Sequence, residues 1–135
     1  MKTLTAIVEY SENNLSAYLE GVDGIVAVGD NMQELKDSMN QSIEMCIEGC
    51  KRHGCEVPEE LTGDYEITYK HDVCSFLNAY TKVLPKSGLE ALTGVHQKLL
   101  WHYASGNKKP KKATVEKIQA AIHQLGKELC AVEFA

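Results

Sequence analysis

Gln97, Lys98, Trp101 and His102, followed closely by Lys108, Lys109, Lys111 and Lys112, are the residues of this chain whose types and spacing best suit chemistry. That chemistry is recognition of double-stranded DNA. Glutamine matches the adenine edge with one donor and one acceptor, lysine donates to guanine, and further cations neutralise phosphates whatever the base sequence. Gln97, Lys98 and His102 are therefore assigned to base edges, Trp101 to the groove wall and the four later lysines to phosphates. Two glycines would position them. Gly94 supplies the φ > 0 that joins two short helices at a steep angle, Gly106 closes the second helix, and Pro110 lies shortly beyond it. Val95 to Ser105 is expected as one short helix, with Leu99, Leu100 and Tyr103 inward. A helical hairpin carrying a solvated lysine loop has the same composition.

Other chemistry has weaker support. Cys46, Cys50, His53 and Cys55 form C-x₃-C-x₂-H-x-C, a run of soft ligands that raises the question of zinc. Yet Cys46 and Cys50 continue the apolar stripe of Leu35, Met39 and Ile43, and a free cysteine packs as a small hydrophobe. Core packing is the reading adopted, with no metal and no cofactor. Glu9 and Asp64 could pair as acids for phosphodiester hydrolysis, but no D-x-D or H-E-x-x-H motif accompanies them. His71 and His123 have no nucleophile or carboxylate at a triad's spacing. No enzyme is expected.

The net charge of −5 conceals a split. Through Lys70, five basic residues face fourteen acids, a net of −9; from His71 onward nine lysines face five acids, a net of +4. The basic half suits DNA and the acidic half suits a cationic protein. With 135 residues, 44% of them hydrophobic, the chain is globular. It has no apolar run long enough for a membrane span, Met1 to Tyr10 lacks a signal peptide's apolar core, and five cysteines at irregular spacing do not make a secreted scaffold. A cytoplasmic protein is expected.

The elements follow from periodicity. Leu4, Ala6, Val8 and Tyr10 alternate with Thr3, Thr5, Ile7 and Glu9 in a first strand, Asn13-Asn14 turns the chain, and Leu15, Ala17 and Leu19 mark a second. Asp23-Gly24 leads to a third strand, Ile25 to Val28. Asn31 and Glu34 form a capping box for a helix that Gly54 stops, and Tyr65 to Lys70 is a fourth strand, parallel to the first. Asp72 caps a helix with Val73, Phe76, Leu77, Tyr80 and Leu84 inward. A last helix from about Thr114 is expected to bury Val115, Ile118, Ile122, Leu125 and Leu129. Val132 and Phe134 alternate with Ala131 and Glu133, which predicts a short terminal strand paired between subunits or with the sheet. The fold class is α+β, with a β-β-β-α-β domain over 1–70 and an all-α domain with a short C-terminal strand over 71–135. DNA binding by one short helix calls for a homodimer or higher homo-oligomer.

Two resemblances cover nearly the whole chain. Leu89 to Ile118 resembles the Cro and phage-repressor-like class of helix-turn-helix domains at Leu89, Gly94, Val95, Gly106, Pro110 and Ile118, while Glu90 stands where that class carries alanine. The first half resembles the HicB-like antitoxin domain, a partial ribonuclease-H-like fold, at Thr5-Ala6-Ile7-Val8-Glu9 and at Gly24-Ile25-Val26-Ala27-Val28-Gly29-Asp30 leading into Glu34-Leu35. Together they imply an antitoxin of a type II toxin-antitoxin system that silences a small basic RNA-cleaving HicA-like toxin and represses its own operon. Glu9, Tyr10, Glu12, Tyr18, Glu20 and Asp23, on the more polar strand faces and their turns, are the toxin-binding candidates. The alternative is a transcriptional regulator whose first half senses a small molecule or metal. Four strands and one helix offer little volume to enclose a ligand.

Overall fold

Alternation sets the first layer: Leu4, Ala6 and Val8 are buried on one face of β1 (Lys2–Ser11), and Leu15, Ala17 and Leu19 on the same face of β2 (Asn14–Leu19). A computed structural model describes residues 1–135, and the chain divides into two compact units, Met1–Ser75 and Phe76–Ala135. The fold is α+β. In the first unit β3 (Val26–Gly29) and β4 (Tyr65–His71) complete a four-stranded sheet of order β3-β2-β1-β4. The pairs β1–β2 and β2–β3 are antiparallel, and β4 runs parallel to β1 with Lys2 opposite Tyr65 and Val8 opposite His71.

The first hairpin is shifted by one residue from the expected turn. Glu12 and Asn13 are its central residues, at φ 50° and 67°, and Ser11 pairs with Asn14. Two positive φ values give the turn whose twist matches that of the flanking strands. Asparagine tolerates this conformation, whereas glutamate does so at a cost.

The helix α1 (Met32–His53) covers one face of the sheet, packing against β2 and β3. Asn31 caps it by accepting from the Glu34 amide at 2.9 Å, and the Glu34 carboxylate reaches back to the Asp30 amide at 2.8 Å, one residue before the expected partner. Met32, Leu35, Met39 and Ile43 are buried, while Cys46 and Cys50 are only half-buried. Close approach requires a glycine beneath the helix, because a Cβ on Gly29 would stand 2.5 Å from the Leu35 nitrogen. A turn of 3₁₀ helix at Glu59–Leu61 inserts the buried Leu61 before β4.

The helix α2 (Val73–Ala79) spans the division between the units. Asp72 accepts from the Ser75 amide at 2.7 Å and so caps it. It ends at Ala79 rather than running on to Leu84; Val73 and Leu77 are buried, and Phe76 and Tyr80 stack with ring centroids 5.1 Å apart. In the second unit α3 (Lys86–Thr93) packs on both α4 (Gln97–Ser105) and α5 (Lys112–Cys130).

Two expectations for the C-terminus are corrected. Of the five α5 residues expected to be buried, only Ile118 is; Val115, Ile122 and Leu125 are half-buried and Leu129 is exposed. Nor does residues 131–135 form a strand. The Ala131 amide donates to the Lys127 and Glu128 carbonyls and Val132 donates to Leu129, so helical hydrogen bonding consumes donors that a strand would have offered to a neighbour. A segment this short has no ladder of its own.

His71 generates a pH dependence. It ends β4, with Nδ1 3.2 Å from the Ser75 hydroxyl. Burial lowers its pKa below the ordinary histidine value; the Asp72 carboxylate offsets part of this, and Lys36 adds to the lowering. The folded protein thus holds His71 neutral where the unfolded chain, with an ordinary pKa of about 6.5, takes up a proton. This contribution is present above that pH and is lost as pH falls through the lowered folded value. The melting temperature of the wild type should therefore decline from pH 7.5 to 5. His71→Gln should be flatter over that window, and equal slopes would show that His71 does not carry the effect.

Candidate nucleic-acid and protein-binding surfaces

The junction between α3 and α4 is built from polar groups that fix one turn. Thr93, itself buried, donates its hydroxyl to the Leu89 carbonyl at 2.7 Å and accepts from the Val95 amide at 3.1 Å. Gly94 between them has φ 76° and donates its amide to Glu90 at 2.8 Å. The second helix starts at Gln97, two residues later than expected, because Val95 is buried in the turn and His96 caps the helix.

Two side chains satisfy the first amides of α4. The Glu90 carboxylate accepts from the Gln97 amide at 2.9 Å, and His96 Nδ1 accepts from the Lys98 amide at 3.1 Å. His96 Nε2 also lies 3.8 Å from Glu90. Glu90 thus shares with the N-cap residue His96 the task of satisfying the first amides of α4. Its carboxylate meets the positive end of the α4 dipole.

Leu100 and Tyr103 anchor α4, both buried. At about 100° per residue, Gln97, Trp101, Ser105 and Lys98 fall within roughly 100° of arc on the other side. All four are exposed. His102 lies at the edge of this face, half-buried, and its Nδ1 is buried without a hydrogen-bond partner. Its ring meets Trp101 edge-on, 5.2 Å between centroids. Gln97, Lys98 and Trp101 are thus brought together on open surface, with His102 recessed beside them.

The lysine loop returns to this helix. The Lys108 amide donates to the His102 carbonyl at 3.3 Å, and Lys108, Lys109, Lys111 and Lys112 are all exposed. Lys112 opens α5, whose N-terminus has neither a side-chain cap nor an acid in its first turn. Unsatisfied amides, dipole and lysines there all favour an anion such as phosphate. The start of α4, already holding a carboxylate, offers no such attraction.

The six candidates on the first unit do not form one cluster. Glu9 and Tyr18 point from the sheet face that α1 leaves open, whereas Tyr10 is half-buried on the opposite face, its hydroxyl 3.5 Å from Asn13 Oδ1. Glu12 sits in the first hairpin turn, and Glu20 and Asp23 lie at the far end of β2, about 20 Å away at strand rise. Sequence reasoning missed the residues that complete the open face. Tyr18 pairs with Ile7 on one side and Val26 on the other, and Val26 and Val28 are 62% and 58% exposed. Their alternation with buried Ala27 was the available signal.

On α1, Cys46 and Cys50 are neighbours; burial and Cys46 together raise the Cys50 thiol pKa, which keeps it protonated. No three histidine, cysteine or acidic side chains converge as metal donors. A groove of about 320 Å³ runs between α1 and β4, lined by Lys36, Asn40, Tyr65, Ile67 and Tyr69, with Lys36 Nζ 5.8 Å from the Tyr69 ring centroid. No helix is long and apolar enough to cross a membrane. The chain matches no protein-family model, no curated protein and no solved structure.

Glu90 supplies the test of this geometry. Glu90→Ala should remove the cap on the Gln97 amide and destabilise the protein by about 1 kcal/mol in urea unfolding. Glu90→Gln keeps an accepting oxygen and should lose distinctly less. Equal losses would mean that the carboxylate acts through charge alone.

Proposed function

We propose that the chain is a HicB-like antitoxin with a partial ribonuclease-H-like first unit and a helix-turn-helix second unit. In this reading it neutralises a small basic RNA-cleaving toxin of the HicA type and represses its own operon as a cytoplasmic homo-oligomer. The observation that carries the reading is the segregation of charge between the units. Met1–Ser75 holds five basic residues against fifteen acids, a net of −10, and Phe76–Ala135 holds nine lysines against four acids, a net of +5. The exposed Gln97, Lys98 and Trp101 on the basic unit suit a DNA groove, and the acidic unit suits a cationic protein.

The DNA half of the proposal is tested with the full-length protein and its own promoter. Lys109→Ala should weaken binding to promoter and random DNA alike and lower the salt slope by about one ion. Gln97→Ala should lose promoter binding selectively, by about 1–3 kcal/mol at one base pair. Loss of equal size on both DNAs for Gln97→Ala refutes its assignment to a base.

For the protein half, the open sheet face is the interface assigned. Where a small basic protein is encoded beside it, that protein alone should arrest growth and co-expression with this chain should restore it, and Tyr18→Lys should abolish that rescue while Tyr10→Phe preserves it. Rescue unaffected by Tyr18→Lys would remove this face from the interface.

The groove beside Tyr69 favours a second reading, in which the first unit is a small-molecule sensor of a transcriptional regulator. Its volume lies at the lower end of ligand sites. Absence of any growth rescue by the full chain, together with promoter binding, would favour this sensor.

A further inference from the structure

The helix α5 carries one apolar stripe with two different fates. Val115, Ile118, Ile122, Leu125, Leu129 and Val132 recur at alternating intervals of three and four, the 3.5-residue period of a seam between two helices. Near its start the stripe is covered, Ile118 being 3% exposed where α5 packs on α3. Further along the cover thins, Ile122 and Leu125 being half-buried. Leu129 is 61% exposed, and beyond the last turn Phe134 is 95% exposed. Gly126 adds a second oddity. A glycine inside a helix lowers its stability, and a Cβ there would meet no atom of the chain within 4 Å, so internal packing gives no reason for it. A neighbouring helix at close range does, because the missing side chain lets backbones approach.

We infer that the C-terminal half of α5, from Ile122 through Leu129 with the exposed Val132–Phe134 tail, pairs with the same segment of a second copy of this chain. Both copies then present the same stripe to each other, as a two-fold interface demands. From Ile122 to Cys130 the helix extends about 12 Å, so a mutual pairing of this segment and its apolar tail is small beside a standard interface and implies a dimer that dissociates on dilution. Charge favours opposed directions. Antiparallel alignment brings the Glu128 and Glu133 end of each copy toward the lysine-rich start of the other, whereas parallel alignment sets Glu128 beside Glu133 of its mate.

This pairing deepens the homo-oligomer named in the proposed function and replaces its expected terminal strand with a helix. Sedimentation equilibrium of the full-length protein, without DNA, should show concentration-dependent conversion from 14.9 kDa to twice that mass. Leu129→Glu should weaken association at least tenfold with unchanged circular dichroism and melting temperature of the diluted monomer, since Leu129 is already exposed there. Gly126→Leu should also weaken it. A wild type that remains monomeric at 100 μM, or a dimer unaffected by both substitutions, overturns the α5 pairing. Promoter binding measured on the same samples judges the DNA reading separately, so a dimer built elsewhere that still binds the promoter would refute only the pairing.

Discussion

The parallel register of β1 with β4 is the constraint from which the first unit follows. Parallel neighbours cannot be joined by a hairpin, so the chain must leave the sheet after β3, cross it and return beside β1. The long helix α1 is that crossing. It takes one face, where Gly29 admits the backbone of Leu35 and where Leu35 and Met39 are fully buried. The other face is left with Ile7, Tyr18 and Val26 in one cross-strand row. Parallel pairs are ordinarily covered on both sides, so the same constraint that places the helix also creates an open surface suited to a partner.

The second unit depends on a smaller device, the polar turn from Thr93 to Lys98. Helices of eight and nine residues are too short to be stable alone. Their relative placement rests on Thr93 bridging Leu89 and Val95, and on Glu90 and His96 taking the first amides of α4. These caps relocate the attraction for anions. With a carboxylate at the head of α4, the uncapped start of α5 and its lysines offer an anion the more favourable electrostatics, while Gln97 and Lys98 keep their side chains on open surface.

Strand alternation and helix stops were legible because each is a local rule. Leu4, Ala6 and Val8 mark the inner face through period two, and Gly54, Gly94 and Gly106 mark helix ends through the left-handed conformation they adopt. What lay beyond local pattern was what covers each pattern. Ile118 and Leu129 occupy equivalent positions in one stripe, yet Ile118 is buried and Leu129 is largely exposed. Glu90 carries no local signal of its task, because only the folded turn brings it onto the Gln97 amide, seven residues away. The same holds for the scattered acids of the first unit. Polarity selected Glu12, Glu20 and Asp23 together, but distance along β2 separates the first from the other two.

Charge and apolar area have different tasks on such surfaces. In the proposed reading the acidic excess of the first unit would act at a distance, raising the rate at which a cationic partner arrives, and salt would screen it within about 10 Å. Holding that partner falls to contacts that exclude water. Tyr18, with an apolar ring and a polar tip, stands between Ile7 and Val26 at the centre of the open face, whereas most carboxylates lie at its rim or on turns. Truncating an aromatic anchor chiefly speeds dissociation, and neutralising a rim carboxylate chiefly slows encounter. Selection of residues by charge alone therefore finds groups suited to steering and passes over Val26 and Val28, whose exposed apolar area is what a water-excluding contact would need.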